Sequence, residues 1–261
     1  MPAPSDIRLT VIGSGDAFNA MGRAHSCYLL EGAGFGPLMV DFGGTALAAL
    51  RRCGREPTEL RGIAVTHLHG DHMGGFPFLI IDGMFNAVRT EPLAVVGPVG
   101  TAERIEEALR VSYGDVVERD RPFELACIEL APGQQASLTG TSVQAFAAEH
   151  MDPPEQPLCL RITLPGGQVV AFSGDTAMCD GLFEAAAGAA LLVADCSAPA
   201  PPCGRHCSWQ EWLEALPRIG TKRILFTHLN REMRERCDEL LAAAPAGYDL
   251  SFADDGLVLT V

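Results

Sequence analysis

Thr66-His67-Leu68-His69-Gly70-Asp71-His72 places four side chains able to bind a transition metal within six residues. The segment follows the short apolar run Gly62-Ile63-Ala64-Val65, so it leaves what reads as a buried strand. His67 and His69 are two positions apart, and an extended chain puts both imidazoles on one side. Asp71 and His72 follow where the chain should turn, and adjacent residues in a turn can point to different places. Two ligands for one ion and two for a neighbour is the natural reading. The plainer account is a polar loop with surface histidines, but H-x-H-x-D-H is a rare spacing and His/carboxylate clusters are how proteins hold such ions.

Three isolated candidates lie further along: His150, Asp175 and His228, each at the end of a strand-like segment. A sheet can present such strand ends at one common edge. With the motif they make a complete set. His67, His69 and His150 can hold one ion, Asp71, His72 and His228 a second, and Asp175 can bridge them. Imidazole and carboxylate donors without thiolate suit two divalent ions, Zn²⁺ first, with Mn²⁺ or iron as alternatives.

Two histidines remain. His206 stands in Arg205-His206-Cys207-Ser208, just before a helix start, where the helix dipole would lower its pKa on close packing. A loop histidine beside a metal pair can protonate a leaving oxygen. His25, at a strand start, is read as lining the pocket. Cys196, Cys203 and Cys207 match no compact C-x₂-C pair, and a structural zinc there is not the preferred reading.

The elements that must position these residues alternate along the chain. Strands are expected at Ile7 to Ile12, Ser26 to Glu31, Leu38 to Asp41, Gly62 to Thr66 and Leu93 to Val96, the last stopped by Gly97-Pro98. Helices are expected at Thr45 to Arg52 and Thr101 to Arg110. Met73 to Ile81 is apolar on nearly every side and reads as core, with some side chains free to line a pocket. Two strands lead up to Glu149-His150. Leu158 to Leu164 and Gln168 to Ser173 flank Pro165-Gly166-Gly167, a hairpin signal. Ala190 to Ala194 closes on Asp195, and Arg223 to Phe226 closes on Thr227-His228. Ser208-Trp209-Gln210-Glu211 is a capping box opening a helix to Leu216, and Arg231 to Ala243 is helical. Strands in both halves with helices between them imply an α/β (α+β) protein of two mixed sheets back to back, helices outside. No linker divides residues 1–261, so one domain is expected.

Composition limits the function. The 261 residues are 48% hydrophobic and carry a formal net charge of −14, whereas a protein that grips nucleic-acid backbone usually carries a basic face. Long nucleic acid is therefore a poor substrate; a small phosphate ester is not excluded, because divalent ions reverse the local field. No apolar run approaches a membrane span, and the first six residues show no leader. Nine scattered cysteines fit a reducing compartment, the cytoplasm by default. No G-x-x-x-x-G-K-[ST] or G-x-G-x-x-G is present, which argues against a nucleotide cofactor.

Together the motifs resemble a metallo-β-lactamase-fold hydrolase, and within it the ribonuclease Z-like branch. Ile12-Gly13-Ser14-Gly15-Asp16-Ala17 resembles the branch's opening segment, and Thr66 to His72 matches the superfamily signature. Gly74-Gly75-Phe76-Pro77, then Glu91-Pro92-Leu93 and Gly97-Pro98, resemble the following stretch. Phe172-Ser173-Gly174-Asp175-Thr176 and Phe226-Thr227-His228-Leu229 match the last two ligand motifs. The resemblance implies a four-layer αββα sandwich with a dinuclear site at one edge, and it implies a homodimer. It implies His67, His69, Asp71, His72, His150, Asp175 and His228 as ligands. It also implies an acid–histidine pair that protonates the leaving group, here Asp195 and His206 in altered surroundings. The branch's tRNA-gripping arm would fall between His150 and Asp175, where this chain has only a proline-rich loop and a hairpin.

The function expected is hydrolysis of a small phosphodiester or cyclic phosphate, with Asp71 orienting the nucleophile and Asp195–His206 supplying a proton. Lactone, thioester or aryl-sulfate hydrolysis would use the same ligands. An iron-dependent oxidoreductase and a non-catalytic binding protein are the rivals from other classes.

Overall fold

The computed structural model describes residues 7–261. Residues 1–6, on which the expectation of no leader rests, lie outside the described residues. Two seven-stranded mixed sheets face each other. The first runs in the order β14 (Val258–Thr260), β1 (Arg8–Gly13), β2 (Cys27–Gly32), β3 (Phe35–Val40), β4 (Gly62–Ala64), β5 (Leu93–Pro98), β6 (Leu125–Leu130). The second runs β13 (Asp249–Phe252), β12 (Arg223–Thr227), β11 (Leu191–Asp195), β10 (Val169–Phe172), β9 (Leu158–Thr163), β8 (Thr141–Ala147), β7 (Gln135–Leu138). Each sheet has an antiparallel half and a parallel half. In the first, β14 to β3 pair antiparallel and β3 to β6 parallel; in the second, β7 to β10 pair antiparallel and β10 to β13 parallel.

Burial explains the layering. Leu9, Val11, Leu30 and Val40 of the first sheet meet Leu160, Ile162, Phe172 and Val193 of the second in one apolar core. Alternate residues of the same strands point outwards, as the period of two requires. Leu29, Met39 and Ile63 are covered by α1 (Ala46–Arg52), α2 (Gly70–Met73), α3 (Phe76–Phe85) and α4 (Thr101–Tyr113). Ala171, Leu192, Ile224 and Phe226 are covered by α5 (Asp180–Ala186), α6 (Trp209–Ala215) and α7 (Arg231–Ala242). The four layers are the αββα sandwich expected.

Several boundaries differ from the sequence reading. Three strands, not two, precede Glu149, because β7 and β8 form a tight hairpin of their own turned at Thr139-Gly140, both with positive φ. Gly97-Pro98 does not stop β5; both residues pair with β6, where parallel pairing continues through Pro98↔Leu130. The apolar stretch after the motif becomes the helix α3, with Pro77 in its first turn, where its missing N–H costs nothing. The capping box at α6 forms as expected: Glu211 N donates to Ser208 Oγ, and Ser208 N donates to Glu211 Oε2. The terminal strands β13 and β14, unread in the sequence, extend one edge of each sheet.

Candidate active site

The site lies where parallel strands of both sheets end. β4 runs into His67 and His69, and the single turn α2 carries Asp71 and His72. β8 leads to His150, β10 to Asp175, β11 ends on Asp195, and β12 leads to His228. β8, β10, β11 and β12 all point the same way, since β9 is antiparallel to both β8 and β10. The chain leaves two of these strands abruptly. Asp41 after β3 and His228 after β12 are non-glycine residues at φ 57° and 58°, left-handed backbone that a fold tolerates where the position matters.

All seven expected ligands come together. His67, His69 and His150 form one group, and Asp71, His72, Asp175 and His228 another; within each, the donor atoms lie within 4.8 Å of one another. Asp175 reaches both groups: Oδ1 is 3.2 Å from His72 Nε2, and Oδ2 is 3.2 Å from His228 Nε2 and 3.7 Å from His150 Nε2. Asp71 Oδ2 is 3.3 Å from His228 Nε2. Tetrahedral ligands about 2.0–2.1 Å from an ion are about 3.3 Å apart, so these edges have the length that shared coordination requires. The nitrogens that face inward, His67 Nε2 and His72 Nε2, are buried without a hydrogen-bond partner. Orphaned buried polar atoms are costly in a native protein, and a bound cation would resolve them. The donor set fits two divalent ions.

The electrostatics of the imidazoles differ. Burial opposes charge on His72, but the carboxylates beside it raise its pKa well above that of a free histidine. Burial lowers the pKa of His67 well below that of a free imidazole and lowers that of His150, so both favour the neutral form that ligates. Burial works against charge on His228 too, but Asp175, the hydrogen bond to Asp71 and the charge of Asp195 outweigh it and push its pKa up to about 9. For Asp71, burial is opposed by the His228 hydrogen bond and by His72, which together hold the carboxyl well below the usual range. Three carboxylates around one point are a strong anionic focus.

His206 and Asp195 also meet. His206 Nδ1 donates to Asp195 Oδ2 at 2.8 Å, and the imidazole stacks on His228 with ring centroids 5.0 Å apart. The helix start was expected to lower the His206 pKa. The structure reverses that sign: burial does lower it, but the hydrogen bond and charge of Asp195 raise it further. His25 is half-buried, with burial lowering its pKa and the charge of Asp71 pulling the other way. The cysteines go separate ways, Cys203 Sγ to the His206 carbonyl and Cys207 Sγ to the Thr176 carbonyl.

The sequence reading missed Asp41. Its Oδ2 accepts from His72 Nδ1 at 2.7 Å, and it also accepts from Thr66 N and Thr66 Oγ1 at 2.8 and 2.9 Å. This is the carboxylate behind a ligating imidazole that fixes its tautomer and leaves Nε2 for a metal. The available signal was an acid closing a buried strand ahead of Phe42-Gly43-Gly44. Gly43 is needed for the approach, since a Cβ there would sit 2.1 Å from the Asp71 carbonyl oxygen and 2.4 Å from His25 Cβ. Arg205 was also missed as a partner; its carbonyl accepts from His150 Nδ1 at 3.0 Å.

Fold and ligand cluster together define a metallo-β-lactamase-fold protein of the ribonuclease Z-like kind. The chain belongs to the Anti-Pycsar protein Apyc1 family, whose model matches residues 7–243. It is 29% identical over 227 residues to the uncharacterized protein Rv1339 of Mycobacterium tuberculosis, covering 85% of this chain and 81% of that one. It is 28% identical over 242 residues to the ribonuclease Z of Mycolicibacterium paratuberculosis, covering 85% of each. The metallo-beta-lactamase fold protein YhfI of Bacillus subtilis has the same fold, with a TM-score of 0.78 at 21% identity over 97% of this chain and 99% of that one. The sequence reading reached the branch but not this family.

Proposed function

We propose that this protein, a metal-dependent hydrolase, cleaves a small phosphodiester or cyclic phosphate. The observation that carries the reading is that two ligand groups share Asp175 while the His206–Asp195 pair stands against them, with His206 and His228 stacked. His67, His69 and His150 would hold one ion, Asp71, His72 and His228 the other, with Asp175 between them. Divalent ions held by these residues, Zn²⁺ foremost, would supply Lewis-acid charge and make water a stronger nucleophile.

The remaining chemistry belongs to the chain. Asp71, whose Oδ2 lies 3.3 Å from His228 Nε2, orients the attacking water. His206 spends Nδ1 on Asp195, which leaves Nε2 as the proton donor to the departing alkoxide. Asp195 is buried and anchored: Ser173 Oγ accepts from its N–H, and its carbonyl accepts from Trp212 Nε1 at 2.7 Å. The imidazole therefore has little freedom to swing away. The attraction to Asp195 keeps it protonated at a higher pH than a free histidine, as a general acid needs.

Substrate size is limited by what lies between His150 and Asp175. That interval holds a loop and the β9–β10 hairpin, with no projecting arm, and the net charge is −14. Ribonuclease Z of the mycobacterial relative is named for a polymeric substrate, and neither feature here serves one. The test is side-by-side turnover of bis-(p-nitrophenyl) phosphate, an aryl sulfate and a lactone by protein loaded with defined metals. The reading expects the phosphodiester to dominate and activity to track two metal equivalents. Preference for the lactone or the sulfate would refute it.

A further inference from the structure

Beneath the ligand cluster, between the two sheets, lies a cavity of about 10 Å³. Its walls include Tyr28, Phe172, Val193, Asp195 and Thr227, and of the metal ligands it touches His72, Asp175 and His228. A volume of this size takes about one water molecule, which stays only where polar partners surround it.

Three ligating imidazoles are held from behind by the protein itself. His72 Nδ1 donates to Asp41 Oδ2 at 2.7 Å, His150 Nδ1 donates to the Arg205 carbonyl at 3.0 Å, and His67 Nδ1 lies 3.1 Å from Thr66 Oγ1. His228 is the exception. Its Nε2 faces Asp71 and Asp175, so in the ligating tautomer its proton sits on Nδ1, and that nitrogen is buried with no hydrogen-bond partner. Asp195 carries the complementary orphan. Its Oδ2 accepts from His206 Nδ1 at 2.8 Å and from Thr176 N at 3.3 Å, whereas Oδ1 is buried and unpartnered. The side chains of His228 and Asp195 are 6% and 0% exposed, and the two orphaned atoms lie 3.9 Å apart. That is too long for a hydrogen bond, and it is a separation at which a bridging water is expected. A cation does not suit the same place, because an N–H donor lines it.

We propose that this cavity binds one water joining His228 Nδ1 to Asp195 Oδ1, so that Asp195 positions a metal ligand as well as the proton donor. The water accepts from His228 and donates to Asp195. Its second proton goes to the hydroxyl pair of Tyr28 and Thr227, whose oxygens are 2.7 Å apart and keep a lone pair free between them. Three hydrogen bonds are what a buried water ordinarily makes. Tyr28 stands on β2 and Thr227 on β12, so the water also ties the two sheets together at the floor of the site. The role of His206 rests on the phosphoester reading above; the hold on His228 is independent of the substrate.

A crystal structure of the Zn²⁺-loaded protein should show an ordered water within hydrogen-bond distance of both atoms. A direct bond between His228 and Asp195, or no water there, overturns the proposal. Chelator competition with Zn²⁺ alone tests the coupling. Asp195→Asn offers one carbonyl oxygen to two imidazoles, so it should weaken one zinc equivalent about 10-fold and spare the other. His206→Ala should bind both equivalents as wild type does. Wild-type affinity in Asp195→Asn overturns the link to His228. Equal weakening of both equivalents does so too, because it marks a general loosening, as does an equal loss in His206→Ala, because the effect then travels through His206. If Asp195→Asn does not fold, Tyr28→Phe decides. Removing that hydroxyl should weaken one equivalent about 3-fold, and no change overturns the proposal. Zinc results as expected, without turnover of bis-(p-nitrophenyl) phosphate, would refute the phosphoester reading and uphold the water.

Discussion

The two halves of the molecule repeat one design and use it differently. Each sheet joins an antiparallel half to a parallel half, and each delivers ligands from strand ends on the same edge. The first half concentrates His67, His69, Asp71 and His72 in one loop and one helical turn. The second spreads His150, Asp175, Asp195, His206 and His228 over four separate connections. A contiguous cluster is set by local geometry and needs little beyond β4 and α2. A dispersed set depends on the register of β8, β10, β11 and β12, and slipping one strand by a residue would turn its own side chains to the other face. The first half therefore supplies a preformed half-site, and the second completes it and adds the proton donor.

The sharpest way to break that division is at Asp175, the residue of the second half that touches ligands of both groups. Asp175→Ala should remove measurable turnover and at least one of two metal equivalents, read by elemental analysis beside the rate. If both ions stay, the bridging role is wrong and the halves bind independently. His206→Ala separates chemistry from metal holding within the second half. It should keep both ions and lose about 10²-fold or more in kcat on a poor leaving group. The loss should be far smaller with p-nitrophenolate, which departs without a proton. Equal losses on both leaving groups would make His206 a structural residue. Asp41 probes the first half from behind. Asp41→Asn keeps the shape but weakens the hold on His72 Nδ1, and metal affinity should fall about 10-fold to 100-fold by competition with a chelator. An unchanged affinity would show that the Thr66–His72 loop needs no support from β3.

How much of this was legible before folding follows the same division. The motif could be read as metal-binding because its four donors are neighbours in sequence. The strand feeding it could be read because Gly62 to Val65 is a short apolar run leading straight into the motif. His150, Asp175 and His228 had no local signal, only placement at the ends of strand-like runs and a resemblance to a known branch. Asp41 was read as the last residue of a strand, because nothing in Leu38 to Asp41 says that the carboxylate will meet a histidine 31 positions away. His206 was paired with Asp195 only through the resemblance; no local signal between the two residues says that the imidazole meets that carboxylate and has its pKa raised by it.

By itself, then, the sequence determined the donor types, their grouping into a cluster and three singles, and the alternation of strands and helices that fixes a layered α/β fold. These are local properties: side-chain chemistry, a period of two in strands, a capping box at Ser208. The tertiary structure decided which atoms meet. It placed Asp175 between two groups of donors, aimed Asp41 at His72, and raised the pKa of His206 through Asp195. Those outcomes depend on distances between residues far apart in the chain, and such distances exist only once the two sheets have closed on each other.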